Sequence, residues 1–145
     1  LAVFDAPLDP ESITPQMREN LDDELTEVKS ENAIDRITSQ ANPRTLERVP
    51  AGARFKVRFV VDMLCPEDTP LAARLLEAMR LLEDDSLGGG GSRGSGRVRF
   101  AGLKLTWRNR AFYASGGGEQ TLAEAPDVAG VQAVVNGEGF AAALA

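Results

Sequence analysis

The 145-residue sequence contains no histidine. That absence removes a Ser-His-Asp triad, a Cys-His pair, histidine-ligated metal centres and any imidazole general base. Cysteine occurs once, at Cys65. No internal disulfide can form, and a reducing, cytoplasmic compartment is expected. No apolar run approaches the roughly 18 residues of a membrane span, and no signal peptide is expected at the start. What is present suits a folded chain. Hydrophobic residues make up 43% and charged residues 26%, which excludes a wholly disordered polymer. The length fits one domain or part of one, a size at which about two-thirds of the unfolded surface is buried.

The net charge of -6, taken as an average, argues against a nucleic-acid partner. The distribution argues the other way. Of the 16 basic residues, 13 fall in two windows. The first holds Lys29, Arg36, Arg44, Arg48, Arg54, Lys56 and Arg58 against Glu31, Asp35 and Glu47. The second holds Arg93, Arg97, Arg99, Lys104, Arg108 and Arg110 and contains no acid. Local fields, not net charge, decide what a surface attracts. From charge alone, two solvated basic faces balancing acids elsewhere remain an open reading.

Leu1 to Ala6 reads as a strand already under way, so the chain is expected to be cut at its N-terminus. Pro7 and Pro10 then break the pattern. Glu11 to Leu25 carries Ile13, Met17, Leu21 and Leu25 as a weak helical stripe. Thr26 to Gly52 has neither a long helical period nor a long alternation, and predicts a long loop or an extended hairpin arm. Arg54 to Met63 alternates, with Phe55, Val57, Phe59, Val61 and Met63 on one face, and predicts a strand with that face buried. Thr69-Pro70 opens a helix with Thr69 as N-cap; Leu71, Leu75, Leu76, Met79 and Leu82 form its apolar face and Glu83, Asp84 and Asp85 close it. Arg97 to Arg108 predicts a second strand, its apolar phase slipping at a bulge at Gly102. That strand is expected beside 54–63 in one antiparallel sheet, with the helix on their apolar faces. Beyond Ala111 the signal weakens: a short strand or helix, or loose order, both fit.

Leu87 to Gly96 has six glycines in ten residues. Gly89, Gly91 and Gly94 satisfy a G-x-G-x-x-G spacing, but follow a helix and precede a strand, the reverse of a dinucleotide fold. A flexible linker is one reading. The other is a phosphate cradle, because glycines let backbone N–H groups approach phosphates and Arg93, Arg97 and Arg99 add forked donors. The acids Asp22-Asp23-Glu24 and Asp84-Asp85 read as solvated rather than metal-binding. Cys65 reads as a small buried residue at a strand end. Trp107 and Phe100 could stack on bases but sit on the phase expected to face the core.

Two motifs carry the reading further. TEVKSENAIDRITSQANPRTLERVPAGARF, Thr26 to Phe55, resembles a signature of the RAMP-superfamily backbone subunit of type III-A CRISPR interference complexes. GGGGSRGSGRVRF, Gly88 to Phe100, is similar to that family's glycine-rich loop leading into its last strand. The resemblance covers about Leu1 to Trp107. It implies an α+β fold: a ferredoxin-like (RRM-type) antiparallel sheet carrying a long hairpin thumb, with the first strand and helix lacking here. Residues 1–110 would be the C-terminal part of that domain, 8–52 the thumb region and 87–97 the glycine-rich loop, with 111–145 a tail.

The same resemblance implies copies of the subunit stacked in a filament on a guide RNA, with other subunits of the complex, cutting target RNA at regular intervals in antiviral defence. Lys29, Asn32, Arg36, Asn42, Arg44 and Arg48 would lie on the thumb, with Ile34, Ile37 and Leu46 as its apolar wedge. Gly89, Gly90, Gly91, Ser92, Arg93 and Arg97 would hold guide phosphates. The family's target-cutting aspartate lies upstream and no position here matches it, so RNA binding carries over and catalysis does not. No cofactor is expected in this chain; a divalent metal would serve cleavage by the whole subunit. Two alternatives stay open. One is a stand-alone single-stranded RNA module, which needs exposed aromatics that the strands scarcely offer. The other is a structural filament subunit without nuclease activity.

Overall fold

A computed structural model describes residues 1–22 and 25–144. Asp23 and Glu24, two of the acids read above as solvated, lie outside the described residues. The chain forms two compact units, Leu1–Val60 and Val61–Ala145. It is an α+β chain whose strands pair antiparallel in small two-stranded sheets.

The first unit contains β1 (Ala2–Val3), β2 (Leu8–Asp9), a 3-10 turn (Pro10–Ser12), α1 (Pro15–Arg18), β3 (Glu27–Ile34), β4 (Ala41–Arg48), β5 (Arg54–Phe55) and β6 (Phe59–Val60). β1 pairs with β6 and β2 with β5. Backbone bonds from Phe4 N–H to the Arg58 carbonyl (3.1 Å) and from Lys56 N–H to the Pro7 carbonyl (2.9 Å) extend these two ladders. The single strand expected over 54–63 is thus two short pieces. Pro7, opposite its middle, has no N–H to donate, and the ladder divides there. Nor is the expected apolar face buried: Phe55 is 47% and Val57 48% exposed. A two-stranded ladder carries no second layer of its own.

Among the described residues of the weak stripe over 11–25, the α-helix is the single turn of α1, since an unsupported helix of that length is marginal. Thr14 Oγ1 accepts the Met17 N–H at 3.3 Å and starts that turn. Just before it, Ser12 and Ile13 are buried. The Ser12 hydroxyl donates to the Asp9 carbonyl (2.6 Å) and accepts the Arg54 N–H (2.9 Å), pinning this segment to the β2–β5 ladder.

The second unit contains a 3-10 turn (Pro66–Asp68), α2 (Pro70–Asp84), a 3-10 turn (Gly91–Arg93), β7 (Leu103–Trp107), α3 (Arg110–Ser115), β8 (Gln120–Ala125), α4 (Val128–Val135) and α5 (Phe140–Ala143). Its core joins Ala72, Leu76 and Met79 of α2 to Ala123 of β8, Val128, Val131 and Val135 of α4, and Phe140 of α5. α2 begins and ends where the sequence predicts, but Leu71 is exposed and Ala72 takes its place in the core. Thr69 stands at the cap position without capping: its hydroxyl donates to the Pro66 carbonyl at 2.7 Å. Cys65, expected to be buried, is exposed, because Asp68 holds the Leu64 and Cys65 N–H groups in a surface turn.

The second expected strand is shorter than its alternation suggests. Residues 97–100 form no ladder, and Gly102, at φ +62°, bends the chain just ahead of β7. The register shift falls between Leu105 and Thr106, three residues beyond the bulge predicted at Gly102. The partner of β7 is β8, not the 54–63 segment. The tail from 111 onward is therefore packed structure, in one compact unit with residues 61–110. Alanine and valine dominate α4 and α5, and small side chains leave a weak period in sequence.

Candidate nucleic-acid interface

Thr26 to Gly52 is the extended arm among the two predicted options. β3 and β4 pair over eight residues each, from Glu27↔Arg48 at the base to Ile34↔Ala41 at the tip. Alternation along the strands sorts the side chains. Lys29, Arg44, Arg48, Asn42 and Leu46 share one face with Glu27 and Glu31, while Asn32 and Ile34 lie on the other. Arg36 and Ile37 sit in the tip turn, where Ile37 is 94% exposed. Lys29, Arg44 and Arg48 are thus brought together, Arg36 stands apart in the tip turn, Asn32 lies on the opposite face, and the three wedge residues are spread over both faces and the tip.

The cationic face is not bare positive charge. Arg48 bonds Glu27 directly across the ladder, and Arg44 reaches Glu31 at 2.8 Å. Lys29 Nζ lies 3.3 Å from the same Glu31. Glu31 is 15% exposed against 45% for Arg44, so the carboxylates lie low and the guanidinium groups outward. The sequence reading missed this role of Glu27 and Glu31. A signal existed: acids at 27 and 31 mirror arginines at 48 and 44 about a turn centred between Ile37 and Thr38, as an antiparallel hairpin requires.

The turn is held by Asp35. Its carboxylate accepts the Ile37 N–H (2.8 Å) and the Thr38 N–H (3.2 Å), and its own N–H donates to the Gln40 carbonyl (2.9 Å). The Ile37 and then the Thr38 amide hold the Asp35 carboxyl below its ordinary value of 3.8.

The glycine-rich loop belongs to the second unit and closes on itself. Leu87 N–H donates to the Gly96 carbonyl at 2.8 Å, and the Arg93 and Ser95 N–H groups converge on the Gly90 carbonyl at 2.9 and 3.2 Å. Gly90 and Gly94 flank the Gly91–Arg93 turn at φ +80° and +81°. Gly96, at φ +81°, could carry no Cβ: one would stand 2.3 Å from the Leu87 carbonyl oxygen. Such geometry is an ordered turn, unlike an open spacer. Gly89, Ser92, Arg93 and Arg97 are exposed on it, with Gly90 and Gly91 forming its body. Phe100 and Trp107 are half-buried, on the core phase that their alternation predicts. The Phe100 N–H donates to Glu83 Oε1 at 2.7 Å, tying the end of the loop segment to α2.

Among the described residues no three histidine, cysteine or acidic side chains gather as a metal cluster. None of the described helices is long and apolar enough to cross a membrane.

Residues 1–99 match the RAMP superfamily, and the chain belongs to that superfamily. It is similar to proteins named CRISPR system Cms endoribonuclease Csm3. That of Methanothermobacter thermautotrophicus is 40% identical over 108 residues, covering 74% of this chain and 44% of the relative. That of Methanocaldococcus jannaschii is 39% identical over 117 residues, covering 78% and 46%. That of Enterococcus italicus is 45% identical over 76 residues, covering 52% and 36%. The chain spans less than half the length of these curated relatives.

Proposed function

We propose that this chain is the guide-RNA-binding part of a backbone subunit of a type III-A CRISPR effector, working in the cytoplasm on target-RNA cleavage in antiviral defence. The observation that carries the proposal is the exposed β3–β4 hairpin with Lys29, Arg44 and Arg48 on one face, in a chain of the RAMP superfamily. In this reading the subunit completes a ferredoxin-like (RRM-type) sheet, and copies of it line a guide RNA beside other subunits of the complex. The hairpin enters the guide–target duplex as a thumb, with Arg36 at its tip. The loop with Gly89, Gly90, Gly91, Ser92, Arg93 and Arg97 holds guide phosphates. Such contacts are independent of sequence, as a carrier of many guides requires. The cut itself, and any divalent metal it uses, is assigned to groups outside the residues described above.

The test is a titration of guide RNA at several salt concentrations. Arg93→Ala and Arg97→Ala should each weaken binding about equally for guides of different sequence. Each should flatten the salt dependence by roughly 0.7 per lost phosphate contact, the single-strand value. Arg36→Ala and Arg44→Ala should act mainly on the guide–target duplex. An unchanged slope in the Arg93→Ala, Arg97→Ala double variant removes the loop from the interface.

A further inference from the structure

The sequence offers a single tyrosine, Tyr113, outside the 1–99 family match, and the structure leaves it 72% exposed. Its helix, α3, is short but closed at both ends. The Asn109 side chain accepts the Phe112 N–H at 3.1 Å, and Gly116 terminates the helix in the left-handed region at φ +70°. Tyr113 meets Phe112 edge to face, with centroids 5.1 Å apart and planes at 81°. The Arg108 guanidinium lies 5.0 Å from the Phe112 centroid and is anchored by its Nε–H donating to Glu119 at 2.7 Å. Arg108 thus touches both rings, lying over Phe112 and interacting with the Tyr113 side chain, and Tyr113, set edge to face on Phe112, keeps most of its surface in water. Beside it, Arg110 is exposed and pairs with no acid among the described residues.

We propose that α3 is a stacking platform for an unpaired base of single-stranded RNA, with Tyr113 as the ring and Arg110 as the contact to a neighbouring phosphate. An aromatic face and a free cation are what single-strand binding needs, since every base presents a π-face and every nucleotide a charge. Charge favours RNA over a protein partner: Glu119 already holds Arg108, and Arg110 beside the ring is left as a cation with no ion pair among the described residues. The apolar patch is also narrow, because Phe112 is half-buried and only the Tyr113 ring stands clear, whereas protein docking sites are broader. A paired duplex offers no free base face, so the strand must be single. The inference rests on the RNA-binding reading above and adds to it a base contact on an element neither motif includes.

The test uses the full chain and a labelled, non-self-complementary RNA strand of about 12 nucleotides, within the usual single-strand site size. Tyr113→Ala should lower affinity roughly 5- to 160-fold, the range for loss of one stacked base. Its salt slope should not change, because stacking is uncharged. Tyr113→Phe should bind like the parent. Arg110→Ala should flatten the slope by about 0.7. If the parent chain binds no RNA, both readings fall together. If Arg93→Ala and Arg97→Ala weaken binding while Tyr113→Ala does not, only the platform falls. Equal losses on single-stranded and fully paired RNA overturn base stacking. Loss of self-association with RNA affinity intact would make Tyr113 a protein contact instead.

Discussion

Asp35 shows how one side chain sets the shape of a functional element. It accepts two amide protons across the hairpin tip and pairs its own N–H with Gln40, leaving Ser39 to take the left-handed turn position at φ 60°. Because those amides favour the charged form, the folded carboxyl titrates below its ordinary 3.8. A depressed folded value means the stabilisation is present above 3.8 and is lost as pH falls through the lower folded value. An NMR titration should place the Asp35 midpoint below 3.8, and Asp35→Ala should speed exchange of the Ile37 and Thr38 amides. A midpoint at or above the ordinary value contradicts this account. In the sequence Asp35 was visible only as an acid within a basic window; its caps depend on a turn whose position the strand pairing sets.

At the scale of the element, the hairpin's balance of charge matters more than its count of cations. Three cations share the face, but Glu27 and Glu31 lie beneath them, so a phosphate must compete with an internal carboxylate. Exposed ion pairs of this kind contribute only about 0–1 kcal/mol to stability. Glu31→Gln should therefore leave thermal unfolding nearly unchanged. It should raise affinity for a guide–target duplex about twofold at low salt, the size of one removed charge some 8 Å from a phosphate in water. Anisotropy titrations at two ionic strengths check this, and a weakened affinity would mean that Glu31 orients Arg44 rather than opposing its partner. Pro43, Pro50 and the polar run made an arm or a long loop legible, and strand pairing decided for the arm. The ion pairs were not, because charge windows counted along the chain ignore which residues face one another.

Across the whole molecule, the largest difference from the sequence reading lies in the tail. The best-buried residues, Val128 and Val131, belong to α4, in the stretch with the weakest pattern. α2 supplies the complementary surface through Leu76 and Met79, whereas Leu75, on the same predicted apolar face, and Phe59, on the face predicted to be buried, are only half-buried. Leu76→Ala should cost about 2–5 kcal/mol by the cavity it leaves, and Leu75→Ala distinctly less. Urea unfolding followed by the Trp107 fluorescence of the same unit measures both. A loss below about 0.5 kcal/mol for Leu76→Ala would place it outside the core.

Sequence by itself determined the features written locally. The lack of histidine excludes its chemistry, Pro70 and the period-3.6 stripe determine α2, and the polar, proline-punctuated run over 26–52 narrows that stretch to a long loop or a hairpin arm. The two quoted motifs determine the family. Tertiary structure alone decided what depends on partners distant in the chain. It paired β7 with β8, divided the 54–63 strand opposite Pro7, set Glu27 and Glu31 under the arginines, and left Tyr113 in water. Burial and pairing are properties of two segments at once, and no single window of sequence contains both.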